Sequence, residues 1–520
     1  VQQKYIQQFS GHSTMRRLLI GLFIVISVQA QEHLVPLTVL HWNDFHARNV
    51  PYTVTIRDTL RQRDTTYLIG GSATLLAYIN KFRSQSGPVL VLNGGDDFQG
   101  TPISTITKGR SQIDLMNIIQ PDAMVLGNHE FDYGSRSLLE HLKEVSFSVL
   151  AANLWDSARN REFVSAANIK RFSGMTIGIL GLSPPDLDAL VVRDSIRDIR
   201  LLPVDSVVAV HVREFRRDGV DLIVVLSHMG SSNDEKLALL FPQIDLIVGG
   251  HDHRPIRNPI RVGRTLIVQA GSYGRYLGKV DLIVDTRGDS VFSYRGSLIE
   301  TRVSEVLPDP VAAKKVEEFE DLVGDAMKEV IGELLTPWTT VGYGRRAESN
   351  IGNWQADVIR AFTESDVSFQ NSGGIRDNLR AGPITVGDIW RISPFGNTFV
   401  RFAVSGAKLR EMLEHHLASR LDERGHFGGM RMVFDSRKPT GSKLVEVTIG
   451  NKPLDDKRMY RFATNNYVVS NLRTHFGITG EGLTFERLPD LDRDVFIEQI
   501  RKGGKISSAL DGRMKDVASE

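Results

Sequence analysis

Ala123-Met124-Val125-Leu126-Gly127-Asn128-His129-Glu130-Phe131-Asp132 reads as a short buried strand that breaks at Gly127 into an amide, an imidazole and two carboxylates. A rigid strand fixes the root of such a loop, so a strand end aims chemistry at one point. The same order recurs four times. Leu37 to Leu40 leads into Asn43-Asp44-Phe45-His46, and Val89 to Leu92 into Gly94-Gly95-Asp96-Asp97. Leu222 to Leu226 leads into Ser227-His228-Met229-Gly230, and Leu246 to Val248 into Gly249-Gly250-His251-Asp252-His253. Five apolar strands, each followed by oxygen or imidazole ligands, imply one metal site.

Around these strands the pattern alternates. Helical spacing at Gly71 to Arg83 and Arg136 to Val145, with further strands at Ile177 to Leu182 and Leu266 to Ala270, gives an α/β domain over residues 34–305. Pro308 and Pro310 then mark a boundary. Val311, Val316, Phe319, Leu322, Val323, Met327, Val330 and Leu334 keep a helical period, so 306–337 is read as one amphipathic connector helix ended by Pro337. Residues 338–515 form a second domain of helices and strands. At 520 residues two cores are expected. The net charge of +1 offers nothing to a nucleic-acid backbone. The chain has no Cys, which excludes disulfides, thiolate ligands and a cysteine nucleophile. A metal must therefore be held by His, Asp, Glu and Asn.

Met15-Arg16-Arg17, the apolar run Leu18 to Val28 and the small-residue exit at Ala30 read as a secretory signal within residues 1–30, with Met15 as its start. No Cys follows to carry a lipid. The mature chain is expected to begin near Gln31, to be exported to the periplasm or cell surface, and to keep no transmembrane segment.

Hydrolysis of a phosphate ester needs a nucleophile at neutral pH and a counter-charge for the phosphoryl oxygens. Two metal ions about 3.5–4 Å apart supply both. Asp44 and His46 are candidates for one ion, Asn128, His228 and His251 for the other, with Asp96 between them and His253 turning back to the first. A single His or Asp at a strand end is usually a cap or a hydrogen-bonded loop residue; the co-occurrence of five carries the reading. With Asn128 turned toward a metal, its neighbour His129 faces the departing oxygen, and Asp132 is placed to favour its protonated form. Asp97 and Asp252 are read as supporting residues, Glu130 and Tyr133 as packing or capping ones.

Those five segments resemble the five motifs of calcineurin-type metallophosphoesterases, and their order, with the second domain, resembles the 5′-nucleotidase family over roughly residues 35–510. The resemblance implies a four-layered α/β/β/α catalytic domain, a bridging helix, a nucleotide-recognising C-terminal domain and two divalent ions (Zn, Mn, Co or Fe). It implies substrate contacts at Arg345, Asn371, Gly373, Gly374 and Arg376, and a base sandwiched by Phe395 and Tyr467. Read alone, Ser372-Gly373-Gly374 is an ordinary turn and Phe395 a core residue. One departure stands out. The family carries a Gly-Gly-Asp-Gly turn after the second aromatic, whose Asp binds the ribose hydroxyls; here Tyr467 is followed by Val468-Val469-Ser470-Asn471, which leaves three alternatives: Asn471 or Ser470 substitutes, the substrate is a different phosphate ester, or the domain is specialised for a partner. The expectation is an exported phosphohydrolase of nucleoside 5′-monophosphates, extending to diphosphates or UDP-sugars. The alternatives are a 2′,3′-cyclic-nucleotide phosphodiesterase or broad phosphomonoesterase, and a non-enzymatic binding protein, which would show a lost ligand. None is lost.

Overall fold

The computed structural model describes residues 33–58, 63–85, 87–172, 174–340, 348–418 and 425–519. The expected signal segment and Arg345 lie outside the described residues.

Twelve strands build the first domain's core. In chain order they are β1 (Leu34–Trp42), β2 (Val89–Asn93), β3 (Ala123–Val125), β4 (Ser148–Leu150), β5 (Ala167–Phe172), β6 (Met175–Leu182), β7 (Leu222–Ser227), β8 (Leu246–Val248), β9 (Ile260–Val262), β10 (Thr265–Val268), β11 (Tyr276–Asp285) and β12 (Ser290–Glu300). One six-stranded sheet runs β12-β11-β1-β2-β3-β4, the other β9-β10-β8-β7-β6-β5. Leu37, Val39, Leu90 and Val125 of the first pack against Ile177, Val224, Leu226 and Val248 of the second in one dry core. Helix Ser72–Arg83 covers the outer face of the first sheet; Val204–Arg217 and Ser231–Leu240 cover the second. The four layers are α/β/β/α. Because both faces of the central strands are buried, they read as continuous apolar runs rather than alternating ones.

The central strands are parallel: β1, β2, β3 and β4 in the first sheet, and β6, β7, β8 and β10 in the second. The loops at the carboxyl ends of β1, β2, β3, β7 and β8 converge, as ligand loops do in open α/β sheets.

The expected connector helix is shorter than the sequence period allows. Helix Pro310–Val323 starts where Asp309 accepts hydrogen bonds from the N–H groups of Val311 and Ala312, and it packs on the first domain through Ala312 and Phe319. Gly324, at φ 73°, ends it. Val330–Leu334, whose period reads as the last helical turns, is a strand paired with Gly382–Thr385 and Lys505–Ile506. The second domain's sheet therefore starts before Pro337, and the chain crosses between the domains near Gly324. An antiparallel hairpin, Tyr52–Asp58 with Arg63–Ile69, has no counterpart in the sequence reading.

The second domain holds a five-stranded sheet, Gly425–Gly428, Val367–Asn371, Met459–Asn465, Thr398–Ser405 and Glu486–Leu491, and a four-stranded one containing Met430–Phe434. Among the described residues no helix is long and apolar enough to cross a membrane.

Candidate active site

The loop after β1 sets the first group. Its backbone docks on the loop after β2: Asp44 N–H donates to Gly95 O at 2.8 Å and His46 N–H to Asp96 O at 3.0 Å. Asn43 braces it, donating from Nδ2 to Asp44 Oδ2 at 2.6 Å while its Oδ1 accepts from Ala270 N–H at 2.8 Å. Asp44, His46, Asp96, His251 and His253 all have φ between 50° and 85°. Non-glycine residues rarely adopt this left-handed region, and each such residue costs about 1–3 kcal/mol. Five at one point mark a backbone bent to aim side chains inward. The loops approach so closely that a Cβ on Gly127 would lie 2.2 Å from Asp96 Oδ1.

Two ligand groups result. Asp44, His46 and His253 form one; Asp96, His228 and His251 form the other. In the first, His46 Nε2 lies 3.0 Å from His253 Nε2, and His253 Nε2 lies 3.3 Å from Asp44 Oδ1. In the second, His228 Nε2 lies 3.0 Å from Asp96 Oδ2, and Asn128 Oδ1 lies 3.1 Å from His251 Nδ1. Asp96 also reaches toward His46 and His129, with which it forms a third ligand group. His228 Nδ1 sits 2.6 Å from Gly94 O, so that nitrogen carries a proton and Nε2 is the atom that would face a cation. Buried carboxylate oxygens and imidazole nitrogens are thus pressed together at one point. A divalent cation satisfies that donor set, and the residues fit one.

The charges follow the same geometry. Burial works against ionising Asp96, but His228 and His129 outweigh it and hold its carboxyl well below the usual range. Burial likewise disfavours a proton on His228, yet Asp96 and Asp44 pull its pKa up to about 10. The carboxylates demand a positive partner.

Glu130 holds the loops in register. Its carboxylate accepts from the N–H groups of Asp96, Asp97, Phe98 and Gly127, at 3.0, 2.7, 3.2 and 2.7 Å. Burial and the nearby Asp96 push its pKa to about 7. Sequence alone gives Glu130 as a packing or capping residue; its position beside His129 is the one signal of a larger part. Asp252 accepts from Ser231 N–H at 3.0 Å and Gln269 Nε2 at 2.6 Å, and Asp97 accepts from Trp42 Nε1 at 3.4 Å.

His129 starts a short 3-10 turn, His129–Phe131. Its Nδ1 is 2.8 Å from Asp132 Oδ2 and its Nε2 is 3.9 Å from Asp96 Oδ2. Burial opposes its protonation, but Asp132 and Asp96 prevail and raise its pKa. The second domain meets it here. The Phe395 ring lies 5.5 Å from the His129 ring, and Arg376 Nη2 lies 3.2 Å from His46 Nε2. Asp96, Asn128, His129, Asp132, His251 and His253 share one cavity of about 320 Å³ with Asn371, Gly373, Gly374, Arg376, Phe395 and Tyr467.

Local structure explains the second-domain half. Asn371 ends the strand Val367–Asn371, where its Oδ1 accepts from Asn465 Nδ2 at 2.9 Å. Asn465 Oδ1 accepts from Val468 N–H at 2.9 Å, capping the turn that presents Tyr467. Ser470 and Asn471 do not line the cavity. Ser470 Oγ donates to Asn466 O at 3.0 Å on the surface, and Asn471 Nδ2 is turned back to Tyr467 O at 3.0 Å. The alternative in which one of them replaces a ribose-binding carboxylate is not supported: neither lines the cavity, and Ser470 Oγ and Asn471 Nδ2 donate within the local helical turn. Asn397, Asn466 and the first-domain residues Leu190, Val192 and Ser195 line the cavity too, without a sequence motif to announce them.

Known proteins resemble this arrangement. Residues 37–255 match the calcineurin-like phosphoesterase family, and residues 330–476 match the 5′-nucleotidase C-terminal domain. Endonuclease YhcR of Bacillus subtilis (strain 168) is 27% identical over 463 residues, 85% of this chain; the chain spans 37% of that relative's length. A 5′-nucleotidase of Diplobatis ommata is 28% identical over 542 residues, covering 92% of this chain and 89% of its own. The crystal structure of a 5′-nucleotidase precursor from Thermus thermophilus superposes with a TM-score of 0.83 at 27% identity, covering 92% of this chain and 99% of that one.

Proposed function

The chain joins a calcineurin-like phosphoesterase domain to a 5′-nucleotidase C-terminal domain and so belongs to the 5′-nucleotidase family of phosphoric ester hydrolases; on that premise we propose that it is an exported dinuclear-metal enzyme cleaving nucleoside 5′-monophosphates. The observation that carries the reading is the shared cavity of about 320 Å³, with metal-type ligands from one domain and an arginine and two aromatic rings from the other. Nucleoside diphosphates and UDP-sugars are further candidate substrates. Export rests on the leader-like residues 15–30.

Asp44, His46 and His253 would hold one divalent ion and Asn128, His228 and His251 the other, with Asp96 shared. Ions bound there supply a nucleophile at neutral pH and neutralise phosphoryl charge. The remaining steps belong to the chain's own side chains. Arg376 faces the phosphoryl oxygens with a planar fork of donors. His129, held by Asp132 at 2.8 Å, offers a proton from Nε2 to the departing oxygen or stabilises its charge. Phe395 and Tyr467 hold the leaving group by its flat faces, leaving its oxygen toward His129.

A broad phosphomonoesterase is the second reading, favoured by one observation. Among the described residues, Asp96 and Asp132 are the carboxylates lining the cavity, and both belong to the metal end. No acid there grips a ribose diol.

The test is phosphate release by the chain from Gln31 onward with Mn²⁺, Co²⁺ or Zn²⁺, comparing AMP, ribose 5-phosphate, 2′,3′-cyclic AMP and p-nitrophenyl phosphate, with His129→Ala as control. The nucleotidase reading expects AMP to exceed ribose 5-phosphate by about 10-fold or more, since stacking a base contributes about 1–3 kcal/mol. Equal rates would establish the second reading, and no metal-dependent release would remove both.

A further inference from the structure

Five parallel strands deliver candidate ligands, but a sixth opens on the same side. β6 is parallel to β7, pairing Ile177 with Leu222 through to Leu182 with Ser227. Its carboxyl end therefore emerges beside the loop that bears His228. Ser183 anchors the exit: its N–H donates to Asn153 Oδ1 at 2.9 Å and its Oγ to Leu126 O at 2.7 Å. Pro184 and Pro185 stiffen the next two residues. The segment carries no metal-type group into the cavity. It presents Leu190, Val191, Val192 and Ser195 instead.

The segment is fixed, not loose. Leu187, Val191 and Ile196 are buried with Phe131 and Phe163. Val191 also lines the cavity, with the half-buried residues Leu190, Val192 and Ser195, and Leu190 packs against the same buried cluster. Its tip touches the other domain, where Tyr467 OH donates to Ala189 O at 3.4 Å. Phe395, by contrast, sits against His129. The apolar segment is thus next to Tyr467 rather than to the ring that lies against His129. At about 320 Å³, the cavity is at the small end of ligand sites, which run from about 300 to 1,000 Å³.

Building on the proposed phosphoesterase activity, we infer that the segment after β6 is a leaving-group gauge: Leu190 and Val192 close the cavity opposite the metal end and set the size of leaving group, alcohol or phosphate, that the enzyme releases. Nucleoside-sized leaving groups fill the space against this wall. Extended ones, such as the nucleotide part of a nucleoside-diphosphate sugar, meet it. Small leaving groups do not reach it. Discrimination of this kind comes from apolar fit, where one methylene changes rates by about 10-fold or more.

The experiment is steady-state kinetics of the metal-loaded enzyme and its Leu190→Ala/Val192→Ala variant on p-nitrophenyl phosphate, AMP and UDP-glucose, with thermal unfolding to confirm an intact fold. The expected result is kcat/KM for AMP lowered about 10-fold, UDP-glucose raised relative to AMP, and p-nitrophenyl phosphate within about 2-fold. A second variant, Leu190→Phe, narrows the wall and should lower AMP and UDP-glucose while sparing p-nitrophenyl phosphate. Equal changes on all three esters, or unchanged AMP and UDP-glucose in both variants, would overturn the gauge. Wild-type enzyme that favours p-nitrophenyl phosphate over AMP would instead remove the nucleotide reading; the gauge would still require the two variants to shift the ratio of large to small esters.

Discussion

The two halves of the cavity are built by different means. On the first-domain side Asp44, His46, Asp96, His251 and His253 occupy left-handed backbone, and the loops are tied by buried charge, with Glu130 accepting four N–H groups. On the second-domain side Asn371 sits at φ −72° and Tyr467 on a helical turn capped by Asn465, both in relaxed conformations. Strained, charged loops persist only where their surroundings and a bound group hold them, so they leave a residue-by-residue signature. Caps and stacked rings occur throughout any protein and leave none. Substitutions in the metal half are expected to cost more than those in the substrate half, where Ser470 and Asn471 stand outside the cavity lining.

The largest effect tests the rigid half. Asp96→Ala removes the carboxylate shared between the ligand groups and should reduce phosphate release at least about 10³-fold, beyond the loss of a single oxyanion donor. Retained turnover with AMP would break the comparison at its strong side. Glu130→Gln sharpens it. The amide cannot reproduce four accepted hydrogen bonds, and supporting residues of this kind are worth about 10–100-fold in metal affinity. The concentration of Mn²⁺ that restores half-maximal activity should rise by that factor, with maximal rate less affected; an unchanged requirement would make Glu130 a mere filler.

Smaller and selective effects are expected from the substrate half. Tyr467→Ala should lower kcat/KM for AMP by about 10-fold through lost stacking, while p-nitrophenyl phosphate changes little. Equal losses on both would mean that the ring supports the fold rather than the base. The smallest effect concerns stability. Burial lowers the pKa of His475 to about 4 from 6.5, so the folded chain keeps it neutral where the unfolded chain protonates. Its contribution is complete above pH 6.5 and is lost as pH falls toward 4. Urea unfolding at about pH 7 and about pH 5 should show a drop that His475→Gln reduces, and an equal drop in both proteins would contradict it.

The same contrast explains what the sequence reveals. Apolar runs such as Val89 to Leu92 and Leu222 to Leu226 declare buried parallel strands, and each loop behind them carries ligand-type residues within a few positions. Both signals are local. The helical period through Met327, Val330 and Leu334 misleads because Gly324 ends the helix and a tertiary pairing with Gly382–Thr385 then selects a strand. The segment after β6 is invisible for another reason. Leu190 and Val192 are ordinary apolar residues, and only the parallel pairing of β6 with β7 brings them to the cavity. Glu130 stands in the motif, yet nothing in its spacing distinguishes a carboxylate that binds four backbone N–H groups from one that caps a turn.

The central claim is that residues of the first domain hold a pair of divalent ions. Calorimetric titration of chelator-stripped protein with Mn²⁺, alongside the Asp96→Ala variant, tests it most directly. The account predicts two ions per wild-type chain, fewer or weaker in Asp96→Ala, and AMP hydrolysis that returns only as the sites fill. One ion or none per wild-type chain, or full AMP hydrolysis by the stripped protein, would contradict it.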